Sequence, residues 1–523
     1  MSGIATRPID LDALARADLQ DAPLAGRRAA VLGFARSGIA VARFLADLGA
    51  DVVVYDGRPS AELERSIAAL EGRSVELRLG PEVDPADAWA GAELIVTSPS
   101  INPDFPTTEP RLRAALRPLA DSWRSGTPSA VPVVSEPDLF LRLCPAPTVG
   151  VTGTKGKTTT ASLTAALLAA DPSHPVALGG NIGTPLVERL PELTPGHRVV
   201  IELSELQLPT LSRGTTVALY TNVTSDHLDR HGSVEAYRRV KRRLAELVDP
   251  DGALVVNAED PVSAAYAGLG SAPVVTYRAA RPIPGGVGLV DGWIVAAGVG
   301  RLPLAGGGPA ATGPAGRVLP IGELAIPGEH NVANAMGAVA TALLFGVAPD
   351  GIRRAAADFT GVEHRLESVA LIDGVRFVND SQGTQPDAVV AALRAFPRPL
   401  VLIAGGRDKG VDLSRLGPVA AERATAAVVI GESGPALAEL FRGGGLARVE
   451  PAPSLEAAVR RADAIAREAL AHDMATRGTP GAVATVLLSP AAASFDMFED
   501  YAARGRAFKA AVASIAAERG GER

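Results

Sequence analysis

The sequence predicts an α/β fold in three domains, on three observations. Strand–turn–helix units repeat between Arg28 and Pro99. A glycine-rich loop joins a strand to a helix near residue 150. The same rhythm resumes from about Val369. Such alternation builds parallel sheets that bind ligands at the carboxyl ends of their strands. A chain of 523 residues accommodates about three domains of ordinary size. The expected boundaries are 1–145, 146–360 and 361–523.

Composition excludes several classes of function. Hydrophobic residues at 47% supply several cores, and charged residues at 21% argue against disorder. The net charge is −7 with no Lys/Arg block, so nucleic acid is not an expected partner. Cys144 is the single cysteine, which leaves no internal disulfide and no cysteine-built zinc site; its apolar surroundings mark it as a packing residue. No window approaches the roughly 20 apolar residues of a membrane span, and residues 1–21 lack an apolar signal core. A cytoplasmic protein without membrane insertion is expected.

The N-terminal elements come first. Arg28–Gly33 is a short apolar strand, Gly33 to Gly38 a turn, and Ile39–Leu48 a helix that stops at Gly49. Val52–Asp56 is the next strand and ends on a carboxylate. Leu94–Pro99 is another strand, ending in a turn. The pattern is Rossmann-like, and a dinucleotide oxidoreductase is a rival reading. Ala35 stands at the second glycine of that fingerprint, which weakens pyrophosphate binding here. Asp56 is either an acceptor for a ribose or base, or a polar strand end. Residues 104–130, rich in Pro and Arg, read as an insertion.

The middle of the chain carries the chemistry. Pro147-Thr148-Val149 ends a strand, Gly150 to Thr160 contains the loop, and Ala161–Leu168 is an amphipathic helix. Glycines let backbone N–H groups surround an anion, and the helix N-terminus adds positive potential. Lys157 can reach terminal phosphate oxygens, and the Thr158 hydroxyl can ligate Mg²⁺. This reads as an ATP site. Val151 stands where the strict pattern has glycine, so a plain Gly/Thr-rich turn is the alternative.

Val199–Ser204 is a strand carrying Glu202, a candidate Mg²⁺ ligand. Asp226 and His227 follow another apolar strand, where α/β sites gather their groups; a lone histidine is otherwise structural. Lys241 lies on a helix with Tyr237, and a solvated surface lysine is the bland expectation for it. Val287–Val295 reads as a hairpin turning at Asp291-Gly292, and Ala305 to Gly316 as a flexible surface loop.

The last domain repeats the first pattern. Arg376–Asp380, Pro399–Gly406, Ala426–Gly431 and Ala484–Pro490 read as strands. Pro386–Ala395 and a terminal stretch near Arg504–Arg519 read as helices. A second Rossmann-like parallel sheet follows.

Thr152-Gly153-Thr154-Lys155-Gly156-Lys157-Thr158-Thr159 resembles the phosphate loop of the Mur ligases, whose pattern is Gly-Thr-x-Gly-Lys-Thr-Thr. Gly179-Gly180-Asn181-Ile182-Gly183 and Asn222-Val223-Thr224-x-Asp226-His227-Leu228-Asp229-Arg230 are similar to later motifs of that family. So are Glu329-His330-Asn331-Val332-Ala333-Asn334-Ala335, Glu363-His364-Arg365 and Asn379-Asp380-Ser381. Gly405-Gly406-Arg407-Asp408-Lys409-Gly410 and Leu488-Ser489-Pro490-Ala491-x-Ala493-Ser494-Phe495-Asp496 resemble its glutamate-adding branch. The motifs stand in family order over about residues 28 to 510.

The resemblance implies a central P-loop ATPase-like α/β domain between a domain for a UDP-linked substrate and a domain for glutamate. It implies an ATP-dependent amide ligase of peptidoglycan precursor synthesis, acting as a monomer. ATP would phosphorylate the carboxylate of UDP-N-acetylmuramoyl-L-alanine, and the amine of glutamate, D-glutamate first, would displace phosphate. By the same resemblance Lys157 and Arg365 steady the phosphoryl group. Thr158 and Glu202 hold one Mg²⁺, and His227 helps hold a second. Lys241 matches a position that is carbamylated and so becomes an anion near Mg²⁺. Thr152, Gly153, Thr154, Lys155, Gly156 and Thr159 complete the phosphate loop. Asn331 and Asn334 contact adenine, and Asp380 the ribose. Ser37, Asp56 and Ser98 hold uridine diphosphate, while Asn181 and Ser204 face the muramoyl part. Thr384, Lys409, Ser494, Phe495 and Tyr501 receive glutamate. Closure of the last domain is expected to bring Lys409 and Ser494 to the ATP side.

Four residues at three places depart from the family pattern. Gln382 replaces the usual lysine two residues after Asp380 and supplies no full charge. Lys155 replaces a common asparagine, and Glu205-Leu206 replaces Ser-Phe. An L-glutamate-specific relative, a folylpolyglutamate synthase-like ligase and a catalytically silent nucleotide-binding scaffold therefore remain alternatives. The separate N-terminal βα turn with Asp56 favours a nucleotide-sugar handle over folate.

Overall fold

A computed structural model describes residues 7–224, 231–326, 328–408, 412–477 and 482–520. The chain divides into two compact units, residues 1–359 and 360–523.

The first unit contains two sheets. β1 (Arg28–Leu32), β2 (Asp51–Asp56), β3 (Val75–Leu79), β4 (Leu94–Thr97) and β5 (Val133–Ser135) pair in parallel in the order β3-β2-β1-β4-β5. The helix Arg36–Asp47, which follows β1, begins three residues before the expected Ile39. Residues 104–130 are not an insertion. They contain the helix Pro110–Arg124, which connects β4 to β5 and buries Leu112, Leu116 and Ala120. Those three recur every fourth residue, one face of a helix. Pro118 inside the helix and the surrounding arginines concealed that period.

The second sheet is built from β6 (Thr148–Thr152), β7 (Val176–Gly180), β8 (Arg198–Glu202), β9 (Val217–Tyr220), β10 (Ala253–Asn257), β11 (Val274–Arg278), β12 (Val287–Val290), β13 (Trp293–Ala296) and β14 (Arg317–Pro320). Its order is β14-β13-β12-β11-β10-β9-β6-β8-β7. Pairing is parallel from β7 to β12 and antiparallel beyond. Every residue of β6, β8 and β9 is buried, as expected of strands covered on both faces. The helices Lys157–Leu168 and Glu329–Leu344 contribute to the core on one face. Asp291 and Gly292 both adopt positive φ, 48° and 74°, and close the expected β12–β13 hairpin.

The second unit contains β15 (Glu367–Ile372), β16 (Val375–Asn379), β17 (Leu400–Gly405), β18 (Ala426–Ile430), β19 (Val449–Pro451) and β20 (Ala484–Leu488), ordered β15-β16-β20-β17-β18-β19. Only the edge strand β15 is antiparallel. The helix Pro386–Ala395 spans the expected residues, and the last helix, Tyr501–Arg519, begins three residues before Arg504. Among the described residues no helix is long and apolar enough to cross a membrane.

The crossover role of the Pro110–Arg124 helix is testable. Leu116 is fully buried against the first sheet. Leu116→Ala should lower stability in urea by about 3 kcal/mol; an unchanged midpoint would contradict this packing.

Candidate active site

Strand β6 lies between β8 and β9, so the carboxyl ends of three adjacent parallel strands meet at one edge. The loop after β6 is shaped by what crowds it. A Cβ on Gly153 would lie 1.9 Å from Thr221 Oγ1, so no side chain fits there. Gly156 caps the Lys157–Leu168 helix in the left-handed conformation, φ 82°. A Cβ on it would lie 2.6 Å from Asn334 Oδ1.

Residues just after β9 hold the loop from outside. The Thr154 N–H donates to the Asn222 carbonyl at 2.7 Å. The Lys155 N–H donates to Asn222 Oδ1 at 3.0 Å, and Asn222 Nδ2 donates to the Lys155 carbonyl at 3.1 Å. Thr221 Oγ1 donates to the same carbonyl at 2.6 Å. Lys157 Nζ donates to the Thr154 carbonyl at 3.0 Å, so this ammonium lies over its own loop.

Glu202 ends β8 at 1% exposure. Its Oε1 accepts from Asn181 Nδ2 at 2.8 Å. Its buried Oε2 has no hydrogen-bond partner among the described residues. A buried carboxylate oxygen left without a donor is costly. A cation satisfies it, and the neighbouring loop ends in the buried hydroxyl of Thr158. The residues present therefore fit Mg²⁺. Among the described residues no cluster of three His, Cys, Asp or Glu side chains could hold a metal alone. Phosphate oxygens of a nucleotide would contribute to such a shell.

Lys241 is completely buried on the helix Val234–Leu247. The expectation of a solvated surface lysine is wrong. Its Nζ donates to Thr152 Oγ1 at 3.2 Å and lies 5.6 Å from the centre of the Tyr237 ring. Tyr237 Oη and Thr154 Oγ1 are 3.0 Å apart. One helix thus brings a cation and a phenol to the phosphate loop.

At the end of β2, Asp56 Oδ2 accepts from the Phe34 N–H at 2.9 Å and from Arg58 Nη2 at 2.8 Å; Oδ1 accepts from Arg58 N and Nε, both at 3.0 Å. Burial pushes its pKa up, but these donors outweigh burial and hold it below the usual value. Asp56 lines a pocket of about 400 Å³ with Gly33, Tyr55, Ile101 and Leu206. Ser98 Oγ is buried beside Gly33 with no hydrogen-bond partner among the described residues. Ser37 is partly exposed on the first helical turn after Gly33.

In the second unit, β16 and β20 are adjacent and parallel. Asp380, just past β16, accepts from Ser489 Oγ at 2.6 Å and from the Leu366 N–H at 3.2 Å. Burial pushes its pKa up to about 6 against the pull of those donors. Ser494 is buried in the loop after β20, and Phe495 beside it is half exposed.

Residues 151–342 match the Mur ligase middle domain, and residues 364–475 match the Mur ligase glutamate ligase domain. A protein of Pelotomaculum thermopropionicum named UDP-N-acetylmuramoylalanine–D-glutamate ligase is 36% identical over 494 residues, 94% of this chain and 98% of its own. One of the same name from Anaeromyxobacter dehalogenans is 40% identical, over 93% and 97% of the two chains. The chain belongs to the Mur ligase family. Among solved structures, UDP-N-acetylmuramate-alanine ligase of Thermotoga maritima is 18% identical with a TM-score of 0.51, covering 94% of this chain and 99% of its own. That likeness concerns the fold alone.

As a Mur ligase, the protein is an ATP-dependent enzyme that forms C–N amide bonds in peptidoglycan synthesis. The structure gathers Thr152 to Thr159, Asn334, Glu202, Asn181 and Lys241 at the edge of the central sheet. Asn334 Nδ2 donates to Asn331 Oδ1 at 3.1 Å. Asn181, expected toward the muramoyl part, is bonded to Glu202. Ser204 donates from N–H and Oγ to Gln207 Oε1, at 2.9 and 3.0 Å. Arg365 and Thr384 lie in the second unit, and Tyr501 opens its last helix. His227, Asp226 and Lys409 lie outside the described residues. Cys144 donates weakly to the Ala146 carbonyl, and burial pushes its thiol up to about 11, in keeping with a packing role.

Sequence reasoning missed Tyr237, Asn222 and Gln207. Tyr237 precedes Lys241 by four residues, so helical spacing already put both on one face. Asn222 stood inside a recognised motif without a role. Nothing in the sequence signalled Gln207.

A carboxyl group with a folded pKa above its unfolded value favours the folded state when protonated. For Asp380 that stability is full below about pH 4 and is lost as the pH rises through about 6. Between pH 4 and 7 the second unit of this Mur ligase should lose on the order of 3 kcal/mol relative to Asp380→Asn. Identical pH profiles in denaturant would contradict it.

Proposed function

We propose that the enzyme joins glutamate, in its D form, to UDP-N-acetylmuramoyl-L-alanine, releasing ADP and phosphate through an acyl phosphate. The full-length likeness to proteins named UDP-N-acetylmuramoylalanine–D-glutamate ligase carries this choice of substrates. The buried oxygen of Glu202 that has no hydrogen-bond partner among the described residues, at the end of the strand beside the phosphate loop, supports the ATP chemistry. We assign residues 1–145 to the UDP-linked substrate, 146–360 to ATP and 361–523 to glutamate. A monomer located in the cytoplasm is proposed.

Glu202 and Thr158 would hold Mg²⁺, with His227 at a second ion. When bound, the metal supplies positive charge against the phosphate oxygens. Lys157 exchanges the Thr154 carbonyl for the γ-phosphoryl group and carries charge that develops on it. The loop N–H groups and the helix N-terminus bind the remaining phosphate charge. Asn331 and Asn334 are assigned to adenine, and Asp380 to the ribose. The pocket lined by Asp56 and Gly33, with Ser98 beside Gly33, is assigned to the uridine diphosphate end, and Asp56 fixes the Gly33–Phe34 turn.

Lys241 is proposed to lose its ammonium proton and add CO₂, forming an N–C bond and releasing a second proton to solvent, which leaves a carbamate. The buried cation then becomes an anion. This fits a completely buried amine that lies beside the Thr152 hydroxyl at the phosphate loop and near the Tyr237 ring.

Purified protein with ATP, Mg²⁺, the UDP-linked substrate and D-glutamate should release phosphate, and L-glutamate should not substitute. Lys157→Ala should reduce the rate about 100- to 1000-fold. Release that is independent of glutamate, or unaffected by Lys157→Ala, would overturn the reading. In CO₂-free buffer the rate should fall and return with bicarbonate; an unchanged rate would remove the carbamate.

A further inference from the structure

Arg504 is among the largest fully buried side chains of the protein, at 1% exposure. No carboxylate hydrogen-bonds to it among the described residues. Its partners are one hydroxyl and four main-chain carbonyls. Nε donates to Ser381 Oγ at 3.0 Å, and Nη2 donates to the Ser381 carbonyl at 3.0 Å and to that of Ala492 at 3.2 Å. Nη1 approaches the carbonyls of Ala493 at 3.2 Å, Ala492 at 3.3 Å and Gly405 at 3.5 Å.

Those carbonyls belong to three separate strand ends. Ser381 follows β16 and precedes Gln382 and Thr384. Gly405 ends β17. Ala492 and Ala493 follow β20 and precede Ser494. The three strands are neighbours in the order β16-β20-β17. A planar guanidinium offers five donors in fixed directions, which neither lysine nor an apolar residue reproduces. Burial pulls its pKa down to about 10, so it remains charged at neutral pH.

We propose that Arg504 is a positioning residue for glutamate. It fixes the spacing between the loop bearing Thr384 and the loop bearing Ser494, and it places a full positive charge beneath an acceptor that carries two carboxylates. The inference rests on the proposed glutamate ligase reading. It also accounts for glutamate binding where Gln382 lacks a charge. Gln382 Oε1 is itself buried without a hydrogen-bond partner among the described residues.

A purely structural tie would move stability and all kinetic constants together. A positioning role moves the glutamate constant selectively. The test is steady-state kinetics of wild type, Arg504→Lys and Ser381→Ala with each substrate varied in turn. Ser381→Ala deletes one acceptor of the guanidinium and leaves its charge, so it keeps the test alive if Arg504→Lys does not fold. The expected result is a glutamate KM raised at least tenfold in Arg504→Lys and at least threefold in Ser381→Ala. KM for ATP and for the UDP-linked substrate should stay within twofold. In the double variant the two glutamate effects should combine to less than their product. A glutamate KM within twofold of wild type in the folded variants, or equal rises in all three KM values, would overturn the proposal. Wild type that shows no glutamate-dependent turnover would instead overturn the ligase reading, and the proposal with it.

Discussion

The Thr152 hydroxyl holds the central site together. It donates to the Leu203 carbonyl at 2.8 Å and accepts from Lys241 Nζ at 3.2 Å. One side chain therefore ties the end of β6 to the end of β8 and to a helix that arrives about 90 residues later. Everything that approaches phosphate is set relative to that tie. The loop leaves β6 one residue after Thr152, and Glu202 precedes Leu203. Tyr237 sits one turn before Lys241 and meets Thr154. Parallel strands covered on both faces allow few polar side chains in their interior, so the chemistry accumulates where the strands end.

Each unit buries a basic side chain at the end of its parallel sheet. Lys241 lies against a hydroxyl and an aromatic face, and Arg504 against a hydroxyl and main-chain carbonyls. An isolated buried charge is costly, and a merely structural contact could be made by apolar packing. Each basic side chain sits at the carboxyl ends of parallel strands, where α/β sheets gather their ligands; Arg504 keeps its charge, whereas Lys241 is proposed to exchange its own for a carbamate. Glu202 is the complementary case, a buried anion with one oxygen that has no hydrogen-bond partner among the described residues. On the proposed reading, charges supplied by nucleotide, metal and glutamate would offset the cost of burying these groups.

Much of this was legible in the sequence. The strand–loop–helix around Lys157, the hairpin at Asp291-Gly292 and the helix Pro386–Ala395 follow from local rules of glycine, turn and period. Glu202 was legible because a carboxylate at the end of an apolar strand has few structural uses. Other features depend on distant partners. The burial of Lys241 requires Tyr237 and Thr152 together, and a single helical lysine gives no sign of it. The bonds that occupy Asp56 come from Phe34 and Arg58, so its strand-end position alone left its role open. Residues 104–130 were misread because proline and arginine outweighed a helical period carried by Leu112, Leu116 and Ala120. Arg504 was noticed only as the expected start of a helix, since a guanidinium satisfied by carbonyls has no local signature.

The central claim is that this edge uses ATP to activate a carboxylate. Oxygen transfer tests it directly. UDP-N-acetylmuramoyl-L-alanine labelled with ¹⁸O in both carboxylate oxygens should yield released phosphate carrying one ¹⁸O per turnover, while the other label stays in the amide carbonyl. Glutamate-dependent turnover that releases only unlabelled phosphate would contradict the account.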